Sequence, residues 1–174
     1  LGHSQVACVV GHDFGSPVAA WAALARPDIF RACVLMSAPF PGTPAWPLRP
    51  APAAPDWQAA LARLGRKHYQ WYYSTDAAAP DMDAPAQGML AFLRAYYHGK
   101  SGDWAGNEPF ALKGWTAEEL AKLPDYYVMP LEKGMAEAVL PYAAGEAPWL
   151  TDAQPDVYAR NFGRTGFGGG LLWY

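Results

Sequence analysis

Apolar residues fall in two rhythms along this 174-residue chain. Residues 6–10 form a short, continuous, β-branched run, the pattern of a strand buried on both faces. Residues 14–25, rich in alanine and closed by Arg26-Pro27, read as a helix, and residues 32–37 as the next strand. Strand, helix and strand within about 32 residues make one βαβ unit, whose strands should pair in parallel. One helix covers one face of a sheet, so the unit is expected to be a slice of a larger one.

Beyond it the rhythm becomes helical. Residues 56–64 place Trp57, Leu61 and Leu64 on one face, residues 66–74 continue the pattern, and residues 86–98 do so with Met89, Leu90, Leu93, Tyr96 and Tyr97. Thr116 with Glu119 has capping-box spacing, flanked by Trp115 and Leu120 as a hydrophobic staple. A helix is expected over residues 131–140 between Pro130 and Pro141. Thr151 with Gln154 opens another, running to about Phe162 with Pro155 in its first turn. Gly163 to Gly170 is expected to break regular structure. Between the two regimes, residues 39–55 hold seven of the chain's 17 prolines, which rules out a helix or a central strand there. The fold class is therefore α/β, divided into residues 1–38 (a partial parallel sheet), 39–55 (a stiff linker) and 56–174 (a helical lid).

Composition narrows the functions available. With 52% hydrophobic and 17% charged residues the chain is globular, and its net charge of −3 leaves no basic footprint for nucleic acid. No apolar run approaches a membrane span. Cys8 and Cys33 fall on the two expected strands and read as buried thiols in a reducing, cytoplasmic setting, although spacing alone leaves a disulfide open. His3, His12, His68 and His98 have no partner at ligand spacing, so no metal is expected. His12 is expected to pack or hydrogen-bond structurally. Ser4, in Gly2-His3-Ser4-Gln5-Val6, lacks the second glycine and the preceding strand of a serine elbow and reads as a turn residue.

The stretch that carries chemistry is Val10-Gly11-His12-Asp13-Phe14-Gly15-Ser16. Gly-x-Asp-x-Gly can be an ordinary turn. Set between an apolar strand and a long helix, it instead has the form of a nucleophile elbow with aspartate in the reactive place. Strain there lifts Asp13 clear of the sheet at a helix N-terminus, Gly11 and Gly15 leave room for the tight turn, and the Phe14 N–H can face an oxyanion. An aspartate that attacks a saturated carbon forms an ester, which water can open, whereas a serine would form an inert ether. The electrophile is thus an epoxide or an alkyl halide.

This stretch, with Val34-Leu35-Met36-Ser37-Ala38-Pro39, a long insertion and the segment Thr165-Gly166-Phe167-Gly168-Gly169-Gly170-Leu171-Leu172-Trp173-Tyr174, resembles the soluble epoxide hydrolases of the α/β-hydrolase superfamily. The resemblance implies a helical cap and two cap tyrosines that protonate the epoxide oxygen, at positions matching Tyr69 and Tyr174. Tyr72 and Tyr73 lie within one helical turn of Tyr69 and are alternatives to it. By the same resemblance Phe14, Gln70 and Trp173 touch substrate and no cofactor is needed, while the aromatic residues of the lid, Trp57, Trp71, Tyr72, Tyr73, Tyr96 and Tyr97 among them, suggest an apolar or aromatic substituent on a small epoxide. Oligomeric state is left open. Phe14 stands where the family usually has tryptophan, and Gly168 and Leu172 where it often has arginine and asparagine.

A second oxyanion donor, a general-base histidine and its acidic partner fall outside the chain on this reading. Because it opens on Leu1, it is expected to be the middle part of an enzyme, inactive alone. Two rivals remain. A haloalkane dehalogenase would share Asp13 but needs N–H donors for halide, which Phe14 lacks and only Trp71 or Trp173 could supply. A non-catalytic ligand-binding relative would keep the lidded cleft alone.

Overall fold

In the first part of the chain, strand β1 (Val9–His12) lies parallel to β2 (Cys33–Met36), with Val9 opposite Cys33 and His12 opposite Met36. Helix α1 (Gly15–Ala25) joins them and packs on both through its buried small residues Ser16, Ala19 and Ala20. The computed structural model describes residues 2–46, 55–145 and 147–174, and the chain divides into two units, Leu1–Ala53 and Ala54–Tyr174. Residues 47–54, about half of the proline-rich stretch, lie outside the described residues.

The first strand sits later than its apolar run suggests. Val6 makes only a single bridge, to Phe30, and the regular ladder starts at Val9 and carries on into the elbow, where the Asp13 N–H donates to Met36 O at 3.0 Å. Cys8 therefore precedes the strand. Both it and Cys33 are exposed free thiols rather than buried ones, because α1 leaves the other face of this two-stranded sheet open. His12 is exposed too, against the expectation of a packed residue.

The second unit opens with α2 (Trp57–Arg63), capped by Asp56, which accepts the Ala59 N–H at 2.8 Å. Where one helix is expected over residues 66–74, the chain forms β3 (Arg66–His68), then the short α3 (Tyr69–Tyr73). Tertiary pairing overrides the helical pattern: Gly65 turns with φ of 69°, and β3 pairs antiparallel with β4 (Val128–Pro130). Arg66 fixes that register with an ion pair to Asp125 at 2.7 Å and a hydrogen bond to the Val128 carbonyl. Helices α4 (Ala78–Asp83), without a signal in the apolar pattern, and α5 (Met89–Gly99) follow. In α5 the buried face is rotated from the expected one: Phe92 is 2% exposed and Leu90 41%.

Short helix α6 (Ala117–Leu120) forms half of its capping box. Thr116 accepts the Glu119 N–H at 3.3 Å, but Glu119 turns to the Lys113 N–H, and Trp115, 63% exposed, makes no staple. The helix expected over residues 131–140 shrinks to α7 (Met135–Ala138) and a 3-10 turn, Leu140–Ala143, because Pro130 belongs to β4 and the backbone is still extended at Gly134, the residue that caps α7. Asp81 anchors α7 by accepting the Ala136 N–H at 3.1 Å and the Tyr72 hydroxyl at 2.8 Å; a Cβ on Gly134 would sit 2.5 Å from that carboxylate. At Thr151 only the other half of a box forms, its N–H donating to Gln154 Oε1 at 3.0 Å.

Helix α8 (Ala153–Thr165) passes through Gly163, and the three glycines expected to break structure lie in α9 (Gly168–Leu171). Between them Gly166, with φ of 67°, turns the chain, and Phe167 is pinned by its N–H to Asp83 Oδ1 at 2.7 Å and by stacking on Phe162 at 4.3 Å. That fixed start lets a glycine run follow helically. The core of the unit gathers Tyr72, Met82, Phe92, Leu93, Met129, Met135 and Val139. Among the described residues no helix is long and apolar enough to cross a membrane, and no group of three or more His, Cys, Asp or Glu side chains could hold a metal ion.

Candidate active site

Asp13 directly follows β1 with φ of 53°, in the left-handed region that costs a non-glycine residue on the order of 1–3 kcal/mol. The strain is held by a close approach. A Cβ on Gly11 would lie 2.0 Å from Gly15 O, so only glycine fits there. A Cβ on Gly15 would meet nothing within 4 Å, so the room expected to be needed at both glycines is needed only at Gly11. Asp13 is exposed, its carbonyl accepts the Ser16 N–H at 2.9 Å, and Phe14 caps the 11-residue helix α1 with its backbone already helical.

Ser16, not singled out from the sequence, ties this turn to the next strand. Fully buried, it shares its single hydroxyl proton between Gly11 O at 3.0 Å and Met36 O at 2.8 Å, and its oxygen accepts the Met36 N–H at 3.1 Å. Met36 O thus receives Asp13, Ser16 and Ala38, the last at 2.9 Å across Ser37, whose φ of 68° makes a strained γ-turn. Two left-handed residues, Asp13 and Ser37, therefore stand at the ends of adjacent strands around one carbonyl.

The second unit carries the phenols. Tyr69 and Tyr174, far apart in sequence, have ring centroids 6.0 Å apart, edge to face. Tyr73 lies against both, 5.4 Å from Tyr69 and 5.1 Å from Tyr174. Burial first, then the phenols of Tyr96, Tyr174 and Tyr69, push Tyr73 far above the ordinary 10. Tyr72 points elsewhere, donating to Asp81, and burial followed by that carboxylate raises it as well. Of the two alternatives to Tyr69, Tyr73 joins the cluster and Tyr72 is part of the core. The i, i+4 spacing of Tyr69 and Tyr73 was the available signal for this.

His68 opens α3 by accepting the Gln70 N–H on Nδ1 at 3.3 Å, which requires a neutral ring; burial pulls its pKa below the ordinary 6.5. Gln70 is exposed, and Trp173, 71% exposed, is not part of the phenol cluster. Beside Tyr73, Tyr96 and Tyr174 lies a cavity of about 230 Å³, walled by Met82, Phe92, Leu93, Phe162 and Phe167 among others.

A parallel βαβ unit with a strained acidic elbow, followed by a mainly helical unit, is the architecture of the α/β-hydrolase fold, and the family model described as "alpha/beta hydrolase fold" matches residues 1–79. The chain is similar to proteins named epoxide hydrolase. It is 31% identical over 183 residues to epoxide hydrolase B of Mycobacterium tuberculosis, covering 98% of this chain and 50% of that protein, and 27% identical to epoxide hydrolase A of the same organism, covering 95% and 44%. The solved epoxide hydrolase from an endophytic Streptomyces superposes with a TM-score of 0.61 at 28% identity, over 98% of this chain and 44% of that one. Epoxide hydrolase A from Mycobacterium thermoresistibile gives 0.57 at 24% identity, over 99% and 46%, a likeness of fold alone. The chain spans about half the length of the curated relatives it matches.

Proposed function

We propose that the protein carrying this chain is an enzyme that opens a small epoxide to a vicinal diol, with this chain as its middle part. Asp13 attacks an epoxide carbon, and the breaking C–O bond delivers its electron pair to oxygen, which takes a proton from Tyr69 or Tyr174. The product of that step is an ester of Asp13. Water, activated by a base that the resemblance puts outside this chain, then attacks the ester carbonyl carbon; the acyl C–O bond breaks, the diol leaves and the carboxylate is restored. The Phe14 N–H serves the oxyanion of that second step.

The observation that carries this reading is the left-handed backbone of Asp13 between strand and helix, in a chain similar to proteins named epoxide hydrolase. The paired phenols of the second unit, which we take as the cap, support it. Neutral tyrosines can donate a proton in apolar surroundings without a buried charge. The aromatic cavity beside Tyr174 supports an apolar or aromatic substituent on the epoxide, with Gln70 and Trp173 as further substrate contacts. Two free cysteines fit a reducing compartment, so the cytoplasm remains our assignment.

A single turnover of the full-length protein in heavy-oxygen water tests the mechanism. The oxygen added to the diol should come from Asp13, and the label should appear in the peptide that contains Asp13. Label in the first-turnover diol instead would mean direct attack by water and would rule out the ester.

A further inference from the structure

One wall of the cavity beside Tyr174 is held from three helices. It is Phe167, whose N–H donates to Asp83 Oδ1 at 2.7 Å, whose ring stacks on Phe162 with centroids 4.3 Å apart and planes 8° from parallel, and which meets Phe92 edge to face at 6.1 Å. Asp83 ends α4, Phe162 belongs to α8 and Phe92 to α5, so the seat of the ring is fixed by tertiary structure rather than by α9, which it caps. Gly166 makes the approach possible: its φ is 67°, and a Cβ there would come within 3.0 Å of the Asp83 carboxylate. Phe162 and Leu171, two further walls of the cavity, both lean on Phe167, the first through the stack and the second through its N–H, which donates to Phe167 O at 3.1 Å.

We propose that Phe167 limits the size of the substituent an epoxide may carry, and that Asp83 is the positioning residue that holds Phe167 to that task. The inference rests on the function proposed above. Tyr174 lines the same cavity, so a substituent lodged there hangs from a carbon next to the oxygen that Tyr174 protonates. An apolar cavity of about 150 Å³ is enough for benzene, and two linked rings need roughly twice that. The cavity of about 230 Å³ therefore admits one aromatic ring, or a branched alkyl chain of like bulk, and stops short of a biphenyl group. Met82, Phe92 and Leu93 also wall it, but they belong to the buried core of the unit and cannot yield without unpacking it. Phe167 is half-buried against that core, so shortening its side chain opens the cavity while the core residues keep their places.

The test is steady-state kinetics of the full-length protein with two probes, phenyloxirane and its 4-biphenylyl analogue, read as the ratio of their kcat/KM values. Phe167→Ala should raise the biphenylyl-to-phenyl ratio about 10-fold or more, the lower end of what one mismatched group in an apolar pocket is worth. Phe167→Leu, a smaller truncation that guards against misfolding, should raise it less and in the same direction. Asp83→Ala, which frees the Phe167 backbone, should raise it too, whereas Asp83→Asn, whose amide oxygen still accepts the N–H, should keep the ratio of the unaltered protein. An unchanged ratio in both Phe167 variants, even with both epoxides turned over more slowly, would make Phe167 a packing residue only and overturn the inference. So would an Asp83→Asn protein that behaves like Asp83→Ala. Both results would leave the Asp13 ester standing. Failure of the unaltered protein to form a diol from these or from short alkyl epoxides would instead overturn the functional reading, and this inference with it.

Discussion

Around Met36 O three donors from the elbow and the γ-turn converge, and one of them is a side chain. Ser16→Ala would leave the buried carbonyl of Gly11 and both polar groups of Met36 short of a partner. It should cost about 1–3 kcal/mol, read from denaturant unfolding of the full-length protein. Among the tyrosines, roles should separate by substitution. Replacing Tyr69 or Tyr174 by Phe is expected to slow ester formation by roughly 10²-fold, the scale of a lost general acid, and to spare ester hydrolysis. Tyr72→Phe should do the reverse: about 1–2 kcal/mol of stability lost through the unpaired Asp81 oxygen, with ester formation intact. If Tyr72→Phe instead slowed ester formation as much as Tyr69→Phe, the assignment of the first acid would move to Tyr72.

At the level of elements, α3 holds Tyr69 and Tyr73 and is capped by the neutral ring of His68. Because burial lowers the pKa of His68, the unfolded chain binds this proton more readily than the folded one, and stability rises with pH until the unfolded ring is neutral. This contribution is fully present above the ordinary 6.5 and is lost as pH falls through the lower, folded value. Thermal melts should therefore show an acid-side loss that is weaker in His68→Asn, whose side-chain oxygen can cap at any pH. A second element-scale test is Gly166→Ala, which would force a Cβ to within 3.0 Å of Asp83 at a left-handed φ. A cost of more than about 1 kcal/mol is expected, with loosening of Phe167.

How far such elements were legible depended on whether they are local. The βαβ order, the Asp13 elbow, the Asp56 to Arg63 helix and the Thr116 cap follow from neighbours in sequence. The strand Arg66–His68 did not, because its partner lies at Val128–Pro130 and a three-residue strand has no period to read. The glycine-run helix was hidden for the same reason: its anchor is Asp83, which no local pattern connects to Phe167. Tyr69 and Tyr174 were found by resemblance, and their meeting through Tyr73 is a tertiary fact. Ser16 gave no sign of itself, since serine in a first helical turn is usually exposed.

At the scale of the whole molecule, the two units differ in what they bury. In the first, β2 is exposed along its length and Val10, Val18, Leu24 and Val34 face outward, whereas the second encloses two hydrophobic clusters. The 174-residue chain expressed by itself should therefore bind a hydrophobic dye, and its hydrogen exchange should be slow over Ala54–Tyr174 and fast over β1 and β2. Uniform protection across both units would contradict this.

The contact between Tyr69 and Tyr174 also bears on the order of events during synthesis. Tyr69 is made before Tyr127 and Tyr174, so its ring lacks two of its aromatic neighbours until the chain has grown through both. At ordinary elongation rates that interval is on the order of ten seconds, long compared with the folding of a helix. Over that time α3 has only its own cap and nearby packing to hold it, and the pair proposed as acids cannot form before Tyr174 has been made. On the function proposed above, joint acid assistance by the two phenols would thus be absent from the nascent polypeptide until nearly all of this stretch has been made.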